Sequence, residues 1–190
     1  LMAQSDITIL CLPDAAIPAA VQLANGQCRL LDASSVHRTA KDWVYGLPEL
    51  GADQRRRIGS SAKVSNPGCY PQGPILMLRP LIEAGWLDPA LPRTVHAVSG
   101  YSGGCRQMIE AYRAFSSVEA ERFASRSYAL NLAHKHLPEM QRYAGLKQAP
   151  LFCPSVGNYY QGMLCHVPVF ASELTGTRIG EDVQALWQST

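Results

Sequence analysis

The sequence has no long hydrophobic run. Proline, aspartate or arginine interrupts its apolar stretches within about ten residues, which is well short of the ~20 apolar residues that a membrane-spanning helix needs. The opening stretch, LMAQSDITILCLPD, has neither a basic region nor a small-residue cleavage site, so it predicts a core strand and not a signal peptide. We therefore expect a cytoplasmic protein without a membrane partner.

Cysteine spacings typical of metal sites are also absent. The six cysteines form no CxxC motif and no Cys/His pattern of the zinc-binding kind, so we expect no metal, and thiols that stay reduced in the cytosol. Charged residues make up only 17% of the chain, and a net charge of +2 is too small for a nucleic-acid-binding surface. The single basic run, DQRRRIGSSAK, is interpreted as a solvated helix end.

The first part of the chain alternates strand and helix patterns. DITILCLP is a continuous apolar run, typical of a strand buried on both faces of a parallel sheet. A helix over DAAIPAAVQLANGQ and a strand over CRLLDASS follow, so residues 7–35 form one predicted β-α-β unit of a doubly wound sheet. Such sheets bind ligands beyond the carboxyl ends of their strands. The residues at those ends are Leu12, Pro13, Ser34 and Ser35.

The second part of the chain has mixed character. It contains a strand over RTVHAVSG, a helical pattern over SVEAERFASRSYALN and a short helix over HLPEMQRYAG. Two further strand-like runs, APLFCPSVG and GMLCHVPVFAS, are expected to be antiparallel neighbours. The sequence therefore predicts an α/β part followed by an α+β part, with a boundary near Asn66.

The stretch SNPGCYPQG, residues 65–73, surrounds Cys69 with two prolines and two glycines. Ile75, Leu78 and Ile82 follow at helical spacing, which places Cys69 at the first turn of a predicted helix. A helix N-terminus favours an anion, and so a thiolate. A cysteine in this position, with a histidine elsewhere in the chain, is typical of nucleophilic catalysis.

The stretch AHKHLPE narrows the choice among the five histidines. His136 and Glu139 are three residues apart and share a face if His136 lies near a helix N-cap. A carboxylate beside an imidazole orients the ring and favours its charged form. His134 is interpreted as a solvated or packed residue.

Two small-residue loops have an alternative interpretation. SGYSGGCRQ offers backbone N–H groups beside Arg106, which suits an anion cradle, but an ordinary glycine-rich turn explains it equally well. DASSVHRT places Ser34, Ser35 and Arg38 after a strand, and the alternative there is an N-cap cluster.

Four stretches together carry a family resemblance: SNPGCYPQG, WVYGLPEL, HAVSGYSGG and SYALNLAHKHLPEM. In this order and at these separations, the chain resembles the N-acetyl-gamma-glutamyl-phosphate reductases of arginine biosynthesis. LDASSVHRT and QGMLCHVP favour the shorter of the two types in that family. The resemblance implies a partial Rossmann-like parallel sheet for NADP(H) in residues 1–66. It also implies a semialdehyde-dehydrogenase-like α+β catalytic domain with a mixed or antiparallel sheet in residues 67–190, and assembly as a homodimer or homotetramer.

The resemblance also assigns roles to residues. Cys69 is the implied nucleophile and His136 the general acid/base, while Glu139 and Tyr128 position His136 or the substrate. The other implied substrate-binding residues are Ser99, Gly100, Ser102, Gly103, Arg106 and Arg38. Leu12, Pro13, Ser34 and Ser35 are implied to border NADP(H). Which arginine holds phosphate and which holds the substrate carboxylate is left open.

The implied reaction is that of an oxidoreductase: NADPH-dependent reduction of N-acetyl-5-glutamyl phosphate, through a cysteine thioester, to N-acetylglutamate 5-semialdehyde and phosphate. The alternatives are an aspartate-semialdehyde-dehydrogenase-like enzyme, a cofactor-free Cys/His hydrolase and a non-catalytic fragment of the same fold. The sequence has no GxGxxG-like run. We therefore expect the chain to be the middle of a longer enzyme, without its N-terminal nucleotide loop and C-terminal end. Cys105 stands where we expect a further glycine in the cradle loop.

Overall fold

The structure is a computed structural model, which describes residues 2–189 except the side chains of Ala3 and Cys105. Two four-stranded sheets organise this part of the chain. The strands are β1 (Ile7–Leu10), β2 (Arg29–Asp32), β3 (Val44–Tyr45), β4 (Lys63–Ser65), β5 (Thr94–Gly100), β6 (Ser125–Ser127), β7 (Leu151–Gly157) and β8 (Met163–His166). The α-helices are α1 (Ile17–Ala24), α2 (Gln54–Ser60), α3 (Gln72–Glu83), α4 (Cys105–Arg113), α5 (Ser117–Arg122), α6 (Leu137–Ala144) and α7 (Gly180–Ser189). The predicted α/β class is confirmed, with one parallel and one mixed sheet.

The first sheet has the strand order β1-β2-β4-β3 and is parallel throughout. The predicted β-α-β unit is confirmed, because α1 connects two adjacent parallel strands. The expectation that the first strand is buried on both faces is wrong: Ile7 is 53% exposed and Ile9 60% exposed. The reason is that α1 covers only one face of β1: Leu10 packs against Ile17 and Ala20 of that helix, whereas Ile7 and Ile9 point to the opposite face and join none of the hydrophobic clusters among the described residues.

The second sheet has the order β6-β7-β5-β8, with β7 parallel to β5 and the outer strands antiparallel to their neighbours. The expectation that β7 and β8 are neighbours is wrong, because the chain crosses the end of β5 between them. Gly100 donates a backbone hydrogen bond to the carbonyl of Gly162 at 2.9 Å. A Cβ atom on Gly100 would lie 2.6 Å from the carbonyl oxygen of Tyr160, so this crossing requires glycine.

The helical pattern over residues 117–131 is only partly correct. A capping box of Ser116 and Glu119 begins α5, but this helix ends at Arg122. The following residues form β6, which pairs with β7. Polar residues at the edge of a sheet produce no apolar alternation, which explains why the sequence does not show this strand.

One hydrophobic cluster joins the two halves of the chain. Tyr45 and Leu50 of the first half pack with Ile75 and Leu78 of α3. The division at residues 66 and 67 therefore stays a prediction: each sheet lies on one side of it, but a shared core crosses it. None of the helices within residues 2–189 has the length and apolar character needed to cross a membrane.

Candidate active site

A sharply bent segment displays the thiol of Cys69. It begins where β4 ends, at Ser65, and it leads into α3, which starts at Gln72. Cys69 thus lies in the turn just before the helix, close to the predicted first turn. Its side chain is exposed, while its neighbours Gly68 and Tyr70 are buried. We call residues 66–71 the cysteine elbow.

The buried carboxylate of Glu139 holds the cysteine elbow from behind. Glu139 is 1% exposed and accepts three hydrogen bonds: from the backbone N–H of Gly68 at 2.8 Å, the hydroxyl of Tyr45 at 2.7 Å and the guanidinium of Arg38 at 3.1 Å. These donors satisfy a charge that would otherwise be costly to bury. Glu139 therefore fixes the residue that precedes Cys69.

The imidazole of His136 packs directly against the same backbone. A Cβ atom on Gly68 would lie 2.7 Å from Nε2 of His136, which is itself 5% exposed. His136 is the N-cap residue of α6, as predicted. Within the described residues its buried Nδ1 atom has no hydrogen-bond partner.

The expectation that a neighbouring carboxylate favours charged His136 is wrong. Glu139 directs its oxygens to Gly68, Tyr45 and Arg38 instead of the imidazole. Burial, followed by the charges of its neighbours, lowers the pKa of His136 to about 3. Those neighbours are His134, Arg38 and Lys135. The ring is therefore neutral at pH 7, the form that can accept a proton, but the same burial makes it a weaker base than a solvated histidine.

A chain of hydroxyl groups connects the cysteine elbow to β5. The Tyr70 hydroxyl is hydrogen-bonded to that of Ser99 at 2.7 Å and accepts a hydrogen bond from Tyr128 at 3.0 Å. Burial raises the pKa of Tyr70 and of Tyr128, so both hydroxyls stay protonated. Of the two interpretations of His134, solvated or packed, the structure favours the second: the ring packs edge-on against Phe152 with centroids 5.0 Å apart, and its Nδ1 accepts a hydrogen bond from the backbone N–H of His136 at 3.2 Å.

The glycine-rich loop after β5 is a 3-10 turn, Tyr101–Gly104, that leads into α4. The backbone N–H groups of Gly100 and Ser102 donate to the carbonyls of Gly162 and Tyr160, both at 2.9 Å. These two N–H groups therefore already have acceptors. Gly103 lies on the turn and beside Ser99 of β5, where an added Cβ would be 3.6 Å from the Ser99 hydroxyl oxygen. The backbone of Cys105 begins α4, but its side chain lies outside the described part of the chain.

The two arginines that are predicted to bind anions differ in burial: Arg38 is buried and Arg106 is exposed. Arg38 is 7% exposed, and besides Glu139 it donates to the carbonyls of Asn66 and Ala33. The side chain of Arg106 is 90% exposed and pairs with Glu110, one turn along α4, at 2.6 Å. Arg38 thus helps to build the cysteine elbow, whereas Arg106 lies at the surface. The substrate roles of both stay predictions.

Four residues are predicted to border the cofactor: Leu12, Pro13, Ser34 and Ser35. Leu12 and Pro13 are exposed at the carboxyl end of β1 and offer an apolar surface. The Ser34 hydroxyl donates to Asp32 at 2.8 Å. The Ser35 hydroxyl and backbone N–H both donate to Asp14, and these two bonds lower the pKa of Asp14. Because the hydroxyl groups of both serines already donate to carboxylates, they are not free to bind phosphate. This edge therefore fits the border of a nucleotide better than a cradle for its phosphates. Among the described residues, no group of three or more His, Cys, Asp or Glu side chains could hold a metal ion.

Residues 69–190 match the protein family described as "Semialdehyde dehydrogenase, dimerisation domain". The chain belongs to this family. It is 48% identical over 182 residues to N-acetyl-gamma-glutamyl-phosphate reductase 2 of Pseudomonas putida, an alignment that covers 95% of the chain and 58% of that relative. The resemblance found in the sequence is thus confirmed.

Solved structures of aspartate-semialdehyde dehydrogenases share the fold of this semialdehyde dehydrogenase family member. The structure of a probable aspartate-semialdehyde dehydrogenase from Pseudomonas aeruginosa gives a TM-score of 0.71 at 12% identity, and the match covers 100% of this chain and 62% of that one. The Candida albicans enzyme, solved with NADP, gives 0.60 at 11% identity, covering 96% and 55%. The chain spans about 58% of the length of its curated relative.

Two residues at the site of this family member carried no functional signal in the sequence. Tyr45 lies in WVYGLPEL, a stretch used only for the resemblance, and Tyr70 directly follows Cys69. Their hydroxyls reach Glu139 and Ser99, which are 94 and 29 positions away along the chain. Only a prediction of long-range contacts could have found either partner.

Proposed function

We propose that the protein containing this chain is an NADPH-dependent acyl-phosphate reductase, an oxidoreductase of arginine biosynthesis. It reduces N-acetyl-5-glutamyl phosphate to N-acetylglutamate 5-semialdehyde and phosphate. One observation carries this proposal: an exposed thiol, Cys69, on an elbow whose Gly68 packs against the buried, neutral imidazole of His136. The name of the Pseudomonas putida relative supports the choice of substrate.

Cys69 is the proposed nucleophile. Its sulfur attacks the carbonyl carbon of the acyl phosphate, the bond from that carbon to the phosphate oxygen breaks, and a thioester remains on Cys69. The hydride that reduces this thioester comes from NADPH when it is bound. The carbon–sulfur bond then breaks, the aldehyde carbonyl forms, and the thiolate takes up a proton from solvent.

His136 is the proposed carrier of the first proton. As a neutral imidazole it accepts the proton of Cys69 when the sulfur attacks, and it passes that proton to the departing phosphate. Burial disfavours its charged form, so the imidazolium gives up the proton readily. Glu139 and Tyr128 position these groups, through Gly68 and through Tyr70 respectively.

The remaining proposed roles follow the same arrangement. Ser99, Gly100, Ser102 and Gly103 line the acyl-phosphate side, and Arg106 supplies a positive charge at the entrance, with Arg38 as the alternative. Leu12, Pro13, Ser34 and Ser35 border the nucleotide. We further propose residues 1–66 as part of the NADP-binding domain, residues 67–190 as the catalytic domain, and a cytoplasmic homodimer or homotetramer, which the dimerisation-domain description supports.

The reverse reaction tests this proposal. We expect the purified protein to reduce NADP, followed by absorbance, only when phosphate and N-acetylglutamate 5-semialdehyde are both present, and Cys69→Ser to abolish the signal. A higher kcat/KM for aspartate semialdehyde would instead assign the aspartate-semialdehyde-dehydrogenase-like activity. Release of phosphate from the acyl phosphate without any need for NADPH to complete turnover would assign the hydrolase.

A further inference from the structure

One oxygen of Glu139 connects the cysteine elbow to a tyrosine of the first sheet. Oε2 of Glu139 accepts from the backbone N–H of Gly68 at 2.8 Å and from the hydroxyl of Tyr45 at 2.7 Å. The other oxygen accepts from Arg38 at 3.1 Å. Two hydrogen bonds that share this oxygen thus connect Tyr45 to Gly68, the residue that precedes Cys69.

Tyr45 is itself held in place on several sides. It is 2% exposed, its ring stacks on Tyr143 with centroids 3.9 Å apart, and its backbone carbonyl accepts a hydrogen bond from Gln54. The next residue, Gly46, donates to the carbonyl of Ser65 at 2.8 Å, at the start of the segment that leads to the elbow. Tyr45 therefore provides a fixed point against which Glu139 can be oriented.

The hydroxyl of Tyr45 stays a donor at all working pH values. Burial, followed by the charge of Glu139, raises its pKa above the ordinary value. Without this donor, Oε2 would keep only the Gly68 bond, and the carboxylate would be free to turn toward Arg38. Such a turn would move Gly68, and with it Cys69, relative to His136.

We propose that Tyr45 is a positioning residue for Cys69, acting through Glu139 and the backbone of Gly68. The catalytic consequence rests on the proposed function, but the effect on the thiol does not. A displacement of about 1 Å at a reacting atom is enough to lower a rate by up to about 100-fold. A purely structural role for Tyr45 would lower stability and leave the thiol of the folded protein unchanged.

The test compares Tyr45→Phe with the matched variant Tyr143→Phe. Both changes remove one hydroxyl from the same ring stack, but the hydroxyl of Tyr143 donates to the backbone carbonyl of Arg38 instead of to Glu139. In the purified protein, the rate of alkylation of Cys69 by iodoacetamide is followed by peptide mass spectrometry. The kcat and KM of the phosphate-dependent reduction of NADP are measured on the same samples.

For Tyr45→Phe we expect alkylation of Cys69 and kcat both to fall about tenfold, with KM within about twofold of wild type. Tyr143→Phe should leave all three within about twofold. Equal alkylation rates in the two variants would overturn the proposal. If the wild-type protein has no reductase activity, the proposed function fails, and the alkylation comparison still decides the role of Tyr45.

A second variant, Glu139→Gln, keeps the proposal testable if Tyr45→Phe does not fold. It should lower the alkylation rate of Cys69, as Tyr45→Phe does. Because both act through one carboxylate, the double variant should lose little beyond Glu139→Gln alone. Should Tyr45→Phe prove unfolded by circular dichroism, an unchanged alkylation rate in folded Glu139→Gln would overturn the proposal.

Discussion

Glu139 accepts a hydrogen bond from the backbone N–H of Gly68 at 2.8 Å, across 71 positions of sequence. His136, one turn earlier at the start of α6, packs against the same glycine. A single helical turn therefore fixes both the backbone before Cys69 and the imidazole that packs against Gly68. The placement of the His136 ring relative to the cysteine elbow follows from this turn.

Replacing Gly68 with alanine should abolish activity. The new Cβ atom would lie 2.7 Å from Nε2 of His136 and 2.8 Å from Oε1 of Glu139, and both side chains are too buried to move aside. We expect kcat to fall at least about 100-fold. The control is Gly59→Ala, which should keep its kcat, because Gly59 is an exposed helical glycine and the added group would meet no atom within 4 Å beyond its chain neighbours and its own helix backbone. A near-normal kcat in Gly68→Ala would contradict the packing described.

The two arginines should differ sharply in their contribution to stability. Arg38→Met leaves the buried charge of Glu139 without its cationic partner, and we expect a loss of about 3–5 kcal/mol in the free energy of unfolding. Arg106→Ala breaks only an exposed pair with Glu110, and a change within about 0.5 kcal/mol is expected. Urea unfolding followed by circular dichroism measures both. Equal losses would show that Arg38 is not part of the buried support of the elbow.

The hydroxyl chain of Tyr128, Tyr70 and Ser99 predicts two losses of stability of different size. Tyr70→Phe removes the bonds to both Ser99 and Tyr128, so it should lower the free energy of unfolding by about 1–3 kcal/mol. Tyr128→Phe removes only the bond to Tyr70, and its loss should be about half as large. Denaturant midpoints compare the two variants. A larger loss in Tyr128→Phe would mean that Tyr70 is not the centre of the chain.

His136 makes stability depend on pH in a defined direction. Its pKa is about 3 in the folded protein, against an ordinary value of 6.5, so only the unfolded chain binds its proton between these values. Its contribution is therefore complete above pH 6.5 and is lost as pH falls toward 3, by about 1.4 kcal/mol per pH unit. Unfolding of wild type and His136→Gln at several pH values measures this. The variant should lose less stability on acidification, and parallel pH profiles would contradict the prediction.

The local parts of the fold could be predicted from the sequence. The β-α-β unit over residues 7–32 has its own apolar pattern and turn residues, and α6 has a proline at its start and Gly145 at its end. The bend around Cys69 follows from its prolines and glycines. Each of these features depends on residues close together in the chain.

The non-local parts could not be predicted. The partners of Glu139 come from Arg38, Tyr45 and Gly68, which no periodicity connects to α6. The exposure of Ile7 depends on what packs against its face of the sheet, and the separation of β7 from β8 depends on how the chain crosses Gly100. The neutral state of His136 likewise follows from burial, and the i, i+3 spacing alone suggested the opposite.

The most direct test of the central claim is to look for the acyl group on Cys69. The purified protein is incubated with N-acetyl-5-glutamyl phosphate without NADPH, quenched in acid and digested for mass spectrometry. We predict an N-acetylglutamyl thioester on the peptide that contains Cys69, absent in Cys69→Ser and discharged as the semialdehyde when NADPH is added. An adduct on another residue, or none while the reduction still proceeds, would contradict the account.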